Sequence, residues 1–340
     1  MRRPITCLLL TFALLPPAFA QDAGTDVDAV RPLPAGPITD LHEVQVTGET
    51  AGPGLWMVSK GTNVMWVLGT QSPMPEKMSW RSTQVNAVIA QSQEVIRAPS
   101  VSMTSDIGFF GKLALLPSLV GVRNNPGGAT LDTILAPPLY ARWQVLKGKY
   151  IGRDGSVEKW RPIFAAQKLY DEAIHDVGLS TRDIVWPVID TIIAEHKVPM
   201  TRPVVEMAVE SPKRMVAEFK KSPMDDLECF TRTLDRLETD LESMKLRANA
   251  WATGDLEAMR ALPYTDQRMA CDNAIMNASV VQKSGMKDLR TRASEAWMVA
   301  VEAALAKNRT TFAVLPMSEL LAPDGYLAQL RARGYQVIEP

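Results

Sequence analysis

Leu55-Trp56-Met57-Val58-Ser59-Lys60, Gly61-Thr62-Asn63 and Val64-Met65-Trp66-Val67-Leu68 together decide the fold. Two short runs rich in β-branched and aromatic residues flank a turn triplet, which predicts a β-hairpin. Gly69-Thr70-Gln71-Ser72-Pro73 then leaves the carboxyl end of the second strand as a loop. Ser79 or Ser82 is placed to cap a helix carrying Val85, Val88 and Ile89 on one face, and Val95-Ile96 follows where a sheet strand is expected. At the other end of the chain, residues 310–315 read as a strand, 326–333 as a helix and 335–338 as a terminal strand.

Between these ends the pattern is mainly helical. The run 109–119 is apolar, yet Lys112 and Pro117 interrupt it, so burial is expected in preference to membrane insertion. Thr130 or Asp132 caps a helix with Ile134, Leu135, Leu139 and Trp143, and further helices are expected over 164–174, 186–193 and 294–307. Residues 203–210 read as a strand returning to the sheet. Leu227, Phe230, Leu234, Leu237, Leu241, Met244 and Leu246 recur at the three-to-four spacing of an amphipathic helix packed on a core. The expected class is therefore α+β: a mixed sheet from the N- and C-terminal portions, with a mainly helical lobe inserted between its strands.

The N-terminus carries an export pattern. Arg2 and Arg3 precede an apolar run over 5–15, Pro16-Pro17 ends it, and Ala18-Phe19-Ala20 fits the small-x-small rule for signal peptidase. The expected division is a cleaved signal over 1–20, a flexible arm over 21–50 rich in Asp, Pro and Gly, and a folded domain over 51–340. The mature chain would begin at Gln21, lie in the periplasm or be secreted, and have no integral membrane segment. With the signal removed, 35 basic residues face 38 acidic ones. A near-neutral charge without a basic block points away from nucleic acid or an anionic membrane as partner. Cys229 and Cys271 are the cysteines left, and they either pair in an oxidising compartment or stay as two buried thiols. Neither has a CxxC partner, so neither a thioredoxin-like site nor a zinc knuckle is supported.

Gly54-Leu55-Trp56, Val67-Leu68-Gly69-Thr70, Ala250-Trp251-Ala252-Thr253-Gly254-Asp255-Leu256 and the C-terminal stretch from Phe312 through Gly325, ending in Leu330-Arg331-Ala332-Arg333-Gly334-Tyr335-Gln336-Val337, form an ordered set. In order and spacing the chain resembles the TraB/GumN family, which includes the Tiki proteases. The resemblance implies a metal-dependent peptidase with a Gly-x-x-His motif after an early strand and another after a late one. Neutral imidazoles hold the divalent metal, and carboxylates assist or accept a proton from water. Here the first motif falls on Gly69-Thr70-Gln71-Ser72 and the second on Leu315-Pro316-Met317-Ser318, so Ser72 and Ser318 stand where histidines are expected. The family's acidic residue after the first helix aligns with Ala98, its later Leu-Glu-Thr segment with Val209-Glu210-Ser211, and its Arg-Asn pair with Asp272-Asn273. A hydroxyl is a poor substitute for imidazole on zinc. Glu210 and Asn273 remain as candidate pocket residues without forming a metal centre by themselves.

No other chemistry is written clearly. His42 falls in the arm, and His175 and His196 fall in helical stretches, with Asp171 one turn before His175. There is no His-Glu-x-x-His motif, no Gly-x-Ser-x-Gly elbow and no complete phosphate loop around Gly108 and Gly111. Lys60 or Lys77 would serve Ser72 or Ser318 as a base only if the fold brought it close. Trp56, Trp66, Trp143, Trp186 and Trp251 read as packing anchors. No catalytic, cofactor-binding or metal-ligating residue is assigned, and no cofactor is expected. The sequence supports a non-catalytic protein of the cell envelope that binds a protein, peptide or glycan. The alternatives are a hydrolase with a rebuilt site around Ser72, Glu210, Asn273 and Ser318, or a scaffold with a filled centre.

Overall fold

A computed structural model describes residues 52–262, 267–278 and 288–340. The expected signal, the arm and His42 lie outside the described residues. In chain order the elements are β1 (Leu55–Lys60), β2 (Asn63–Thr70), β3 (Met74–Pro75), α1 (Thr83–Gln91), β4 (Glu94–Ile96), β5 (Ser100–Thr104) and α2 (Phe109–Leu119). Then come α3 (Leu131–Ile134), α4 (Pro137–Tyr150), α5 (Pro162–Asp176), β6 (Leu179–Ser180), α6 (Trp186–His196), β7 (Met200–Thr201), β8 (Val204–Ala208) and α7 (Pro212–Lys221). The chain closes with α8 (Leu227–Thr239), α9 (Leu241–Thr253), α10 (Leu256–Ala261), α11 (Gln267–Asn277), α12 (Leu289–Lys307), β9 (Thr310–Pro316), α13 (Met317–Leu321), α14 (Tyr326–Ala332) and β10 (Gln336–Ile338).

The fold is α+β. Six strands form a mixed sheet in the order β10-β1-β2-β9-β4-β7. β1 pairs antiparallel with β2 and with β10, whereas β2, β9, β4 and β7 run parallel. Central β9 is buried from Thr311 to Leu315 without alternation, as a strand covered on both faces must be. Val67, Leu68, Val95, Phe312 and Val314 join Ile89 of α1, Ile189 of α6, Trp251 of α9 and Trp297 of α12 in one apolar core. A second core lies within the inserted helical lobe, where Trp143, Leu169, Phe230, Leu234 and Met244 meet.

Several expectations need correction. Residues 203–210 do not return to the main sheet: β7 takes the edge there, and β8 pairs only with β5 in a separate two-stranded ribbon. Pro203 separates β7 from β8, and its missing N–H cannot extend a ladder. Helix α2 forms over 109–119 as drawn, but none of its residues is buried. Its Lys112 and Pro117 do not decide its environment; among the described residues no element covers its outer face. The single helix expected around Ile134–Trp143 is two, because Pro137 and Pro138 start a new one. Thr130, not Asp132, occupies the first N-cap, in a capping box with Thr133. The long helix over 227–246 breaks at Asp240, which closes α8 and opens α9. Leu227, the first residue of α8, and Leu246, on α9, are exposed.

A close approach fixes the start of α14. A Cβ on Gly325 would lie 2.1 Å from the Glu319 carbonyl, so α14 can begin there only with glycine. Gly61, by contrast, has φ +68° and nothing within 4 Å of an added Cβ. Gly325→Ala is therefore expected to cost about 3 kcal/mol or more, and Gly61→Ala only about 1–2 kcal/mol. Chemical denaturation of the two variants side by side measures the difference, and equal losses would contradict the clash.

Candidate functional site

The parallel pairing of β2 with β9 sets up the site. Gly69 lies opposite Leu315 and Thr70 opposite Pro316, so Ser72 and Ser318 each sit two residues past the last matched pair. Parallel strands deliver their following loops to the same sheet edge. Ser72 precedes a cis Pro73, and Ser318 is the second residue of α13. Both are exposed. A Cβ on Gly69 would lie 2.6 Å from Met317 Cε and 3.0 Å from Leu320 Cδ1, so this glycine makes room for α13 against the strand end. The Gly69 carbonyl accepts a hydrogen bond from buried Trp251 Nε1 at 2.8 Å.

That hydrogen bond gives the Ala250–Leu256 segment a physical role. Trp251 ties α9 to β2. Gly254, with φ +73°, ends α9 in the left-handed region, and Asp255 caps α10 by accepting from Ala258 N at 2.9 Å. α10 in turn reaches the sheet edge, where Arg260 Nη2 donates to both carboxylate oxygens of Glu339 at 2.8 Å.

Above the strand ends lies a cavity of about 850 Å³, bounded by the β2 and β9 loops on one side and by α5, α8, α9, α10 and α11 on the other. Ile163, Phe164, Met259, Leu262, Ile275 and Leu321 supply apolar wall. Thr70, Gln71, Ser72, Gln167, Gln267 and Ser318 supply hydroxyls and amides. Arg236 and Arg247, each buried, converge on Asp240 Oδ2 at 3.3 and 2.5 Å. Arg236 also donates to Gln267 Oε1 at 3.1 Å and lies 5.5 Å from the Tyr170 ring. This cluster locks the α8–α9 corner that forms the cavity's inner wall. Charged residues inside an amphipathic stripe were its sequence signal: Arg236 and Asp240 are one turn apart, between Leu234 and Leu241.

Cys229 and Cys271 form a disulfide. The bridge joins α8 to α11, and Cys271 borders the cavity beside Asp272. Of the two sequence readings the structure takes the paired one. At the start of α8, buried Asp226 accepts from the Ile163 N–H at 2.9 Å, holding the first turn of α5 at the cavity wall. Burial pushes the Asp226 carboxyl above its usual range, against the lowering effect of that hydrogen bond and of Arg161.

The structure brings together only part of the expected constellation. Ser72, Ser318 and Asp272 line the cavity; Glu210 and Asn273 do not. Glu210 is exposed just beyond β8, and Asn273 is exposed on α11. Ala98 packs partly buried against the main core. His175 lies on the surface 3.5 Å from Glu76, and His196 Nε2 is 3.1 Å from Asn86 Oδ1. Asp171 receives the Gln167 side-chain amide at 2.8 Å instead of partnering His175. Lys60 stacks on Tyr335, and neither it nor Lys77 borders the cavity.

A divalent metal of the kind the resemblance implies does not fit these donors. The carboxylates among the described lining residues are Asp272 and Asp324, and Asp272 already faces Arg268 and Arg290 at 3.8 and 3.6 Å. Among the described residues no three His, Cys, Asp or Glu side chains are grouped to hold an ion. A family model described as the TraB/PrgY/gumN family matches residues 54–339. No curated protein and no solved structure matches the chain.

Two outcomes follow from these contacts. Trp251→Phe leaves the buried Gly69 carbonyl without its donor and removes part of a filled core, so a loss of about 2–3 kcal/mol is expected in denaturant unfolding. A wild-type-like midpoint would show that the bond does not hold the strand end. For Asp226 the folded pKa is raised, so its contribution is greatest below the unfolded value of about 3.9 and is lost as pH rises through the folded value. Asp226→Asn keeps an acceptor for Ile163 without the charge. Its stability relative to the parent should therefore improve as pH climbs from about 4 toward neutrality, read from paired unfolding curves. A flat difference would contradict the assignment.

Proposed function

The chain belongs to the TraB/PrgY/gumN family, and from that premise we propose that it is an exported binding protein of the cell envelope. Its strand-end cavity would take a peptide or glycan segment without turning it over. One observation carries the reading: the two loops that converge on a cavity of about 850 Å³ present Ser72 and Ser318 where the resemblance calls for imidazoles. The volume falls within the range of pockets that enclose small ligands, roughly 300–1,000 Å³. Its lining alternates apolar patches with amides, hydroxyls and guanidinium groups, which suits a chain of amide or sugar units.

Catalysis would need more than this lining offers. A serine hydroxyl is a weak nucleophile unless a base adjoins it, and the histidines among the described residues stand away from the cavity. Hydrolysis through Ser72 or Ser318 therefore has no histidine base beside it among the described residues. The export proposal is supported by the apolar run over 5–15 with Ala18-Phe19-Ala20 behind it. The Cys229–Cys271 disulfide adds support, since such bridges persist in oxidising compartments.

Protein recovered from outside the cytoplasm should begin at Gln21 in N-terminal sequencing; an intact Met1 on that material would contradict export by a cleaved signal. For the cavity, the test is calorimetric titration with peptide and glycan libraries drawn from the envelope. Saturable binding is expected, lost in Ser318→Trp, with each ligand recovered intact by mass spectrometry. Cleaved ligand, with cleavage stopped by a chelator or by Ser72→Ala, would overturn the non-catalytic reading.

A further inference from the structure

The described cavity lining carries primary amides at Gln71, Gln167 and Gln267. A primary amide has two N–H donors at one end and a carbonyl acceptor at the other, and its protein neighbours decide which end faces a ligand. Two of these side chains are oriented without ambiguity. A guanidinium can only donate, so Arg236 Nη1 at 3.1 Å fixes the Oε1 end of Gln267 on its own side. A carboxylate only accepts, so Asp171 Oδ1 at 2.8 Å takes the Nε2 end of Gln167. The remaining ends are opposite in character: Gln267 keeps its N–H donors, and Gln167 keeps its carbonyl acceptor. Among the described residues neither end has a protein partner.

Gln267 differs from an ordinary surface amide. Its side chain borders the cavity although the residue is only 7% exposed, and Nε2 is not sealed from that space. Its partner Arg236 is buried in turn and held by Asp240 Oδ2 at 3.3 Å. Cys271, one turn further along α11, is bridged to Cys229, so the helix carrying Gln267 is fastened to the helix carrying Arg236. Gln167 lies on α5 one turn before Tyr170, whose ring is 5.5 Å from the Arg236 guanidinium. That contact puts both glutamines at the Arg236 end of the cavity. A donor whose position is already fixed loses little freedom when a ligand arrives.

From this pair we infer that the cavity reads a peptide backbone through Gln267 and Gln167. Gln267 Nε2 donates to a main-chain carbonyl of the ligand, and Gln167 Oε1 accepts a main-chain N–H. The inference rests on the binding role proposed above and narrows it to one of its two ligand classes. Each main-chain unit carries one donor and one acceptor, the complement of the two amide ends. Met259, Leu262, Ile275 and Leu321 on the surrounding walls give apolar contact to the ligand's side chains. A glycan presents hydroxyls around most of each ring, and an aliphatic wall leaves such groups unpartnered at a cost.

Calorimetric titration of the chain as recovered from expressing cells tests the pair. The probes are acetyl-Leu-Ala-Leu-amide with its Met and Phe counterparts, esters in which oxygen replaces one main-chain N–H at a time, and the trimer of N-acetylglucosamine. Gln267→Glu keeps an oxygen for Arg236 but has no N–H to offer. Its peptide affinity should fall about tenfold or more, with the thermal unfolding midpoint verifying that the variant is folded. A Gln267 that served only to hold Arg236 would leave that affinity unchanged. Gln167→Lys keeps a donor for Asp171 but loses the acceptor. The parent should bind at least one ester about tenfold more weakly than the amide, and that difference should vanish in Gln167→Lys. Parent-like peptide affinity in Gln267→Glu would overturn the inference and leave the cavity's binding role standing. Preference for the trisaccharide over every peptide would do the same. Binding of neither ligand class by the parent would overturn the binding role and this inference with it.

Discussion

The parallel register between β2 and β9 is the constraint on which the rest depends. It runs from Val64 opposite Thr310 to Thr70 opposite Pro316 and joins the two ends of the folded chain. Nearly all helices lie between these strands in sequence, so the pairing makes the helical lobe an insertion and closes it over one sheet edge. Because the strands are parallel, their exits coincide there. Gly69 lets α13 pack against that exit, and Trp251 holds it by donating to the Gly69 carbonyl. A one-residue slip would turn the side chains of β2 to the opposite faces of the sheet and shift Ser72 relative to Ser318.

The lobe answers that register with a wall held by covalent and ionic contacts. The Cys229–Cys271 bridge fastens α8 to α11, Asp240 gathers Arg236 and Arg247 at the α8–α9 corner, and Asp226 secures α5. Each of these links borders or supports the cavity. Buried ion pairs contribute little net stability against well-packed apolar residues, but breaking one strands a charge. Their main effect here is to fix the shape of the wall while leaving the β2 and β9 loops to present Ser72 and Ser318.

Most of the sheet was legible in the sequence because its signals are local. The turn at Gly61-Thr62-Asn63 and the apolar run of β9 each act within a few residues. Features that depend on distant partners were not legible. The stretch around Val204 has a sound strand pattern, but only the three-dimensional position of β5 decides that it leaves the main sheet. The apolar composition of α2 is visible, but its exposure depends on which described elements pack against it. For the site, register placed Ser72 and Ser318 together as the family motifs suggest, whereas Glu210 and Asn273 stayed outside because neighbouring in an alignment does not aim a side chain.

We propose that the two strand exits converge on a cavity whose described lining does not form a metal centre. Zinc is held by nitrogen, sulfur or carboxylate donors in a compact set, commonly four, and a pair of serine hydroxyls does not supply one. Anomalous X-ray diffraction from crystals soaked in zinc, manganese or cobalt addresses this directly. The account predicts no ordered ion between Ser72 and Ser318, with the two loops side by side at the cavity mouth. An ion bound there by three or more protein ligands would contradict it.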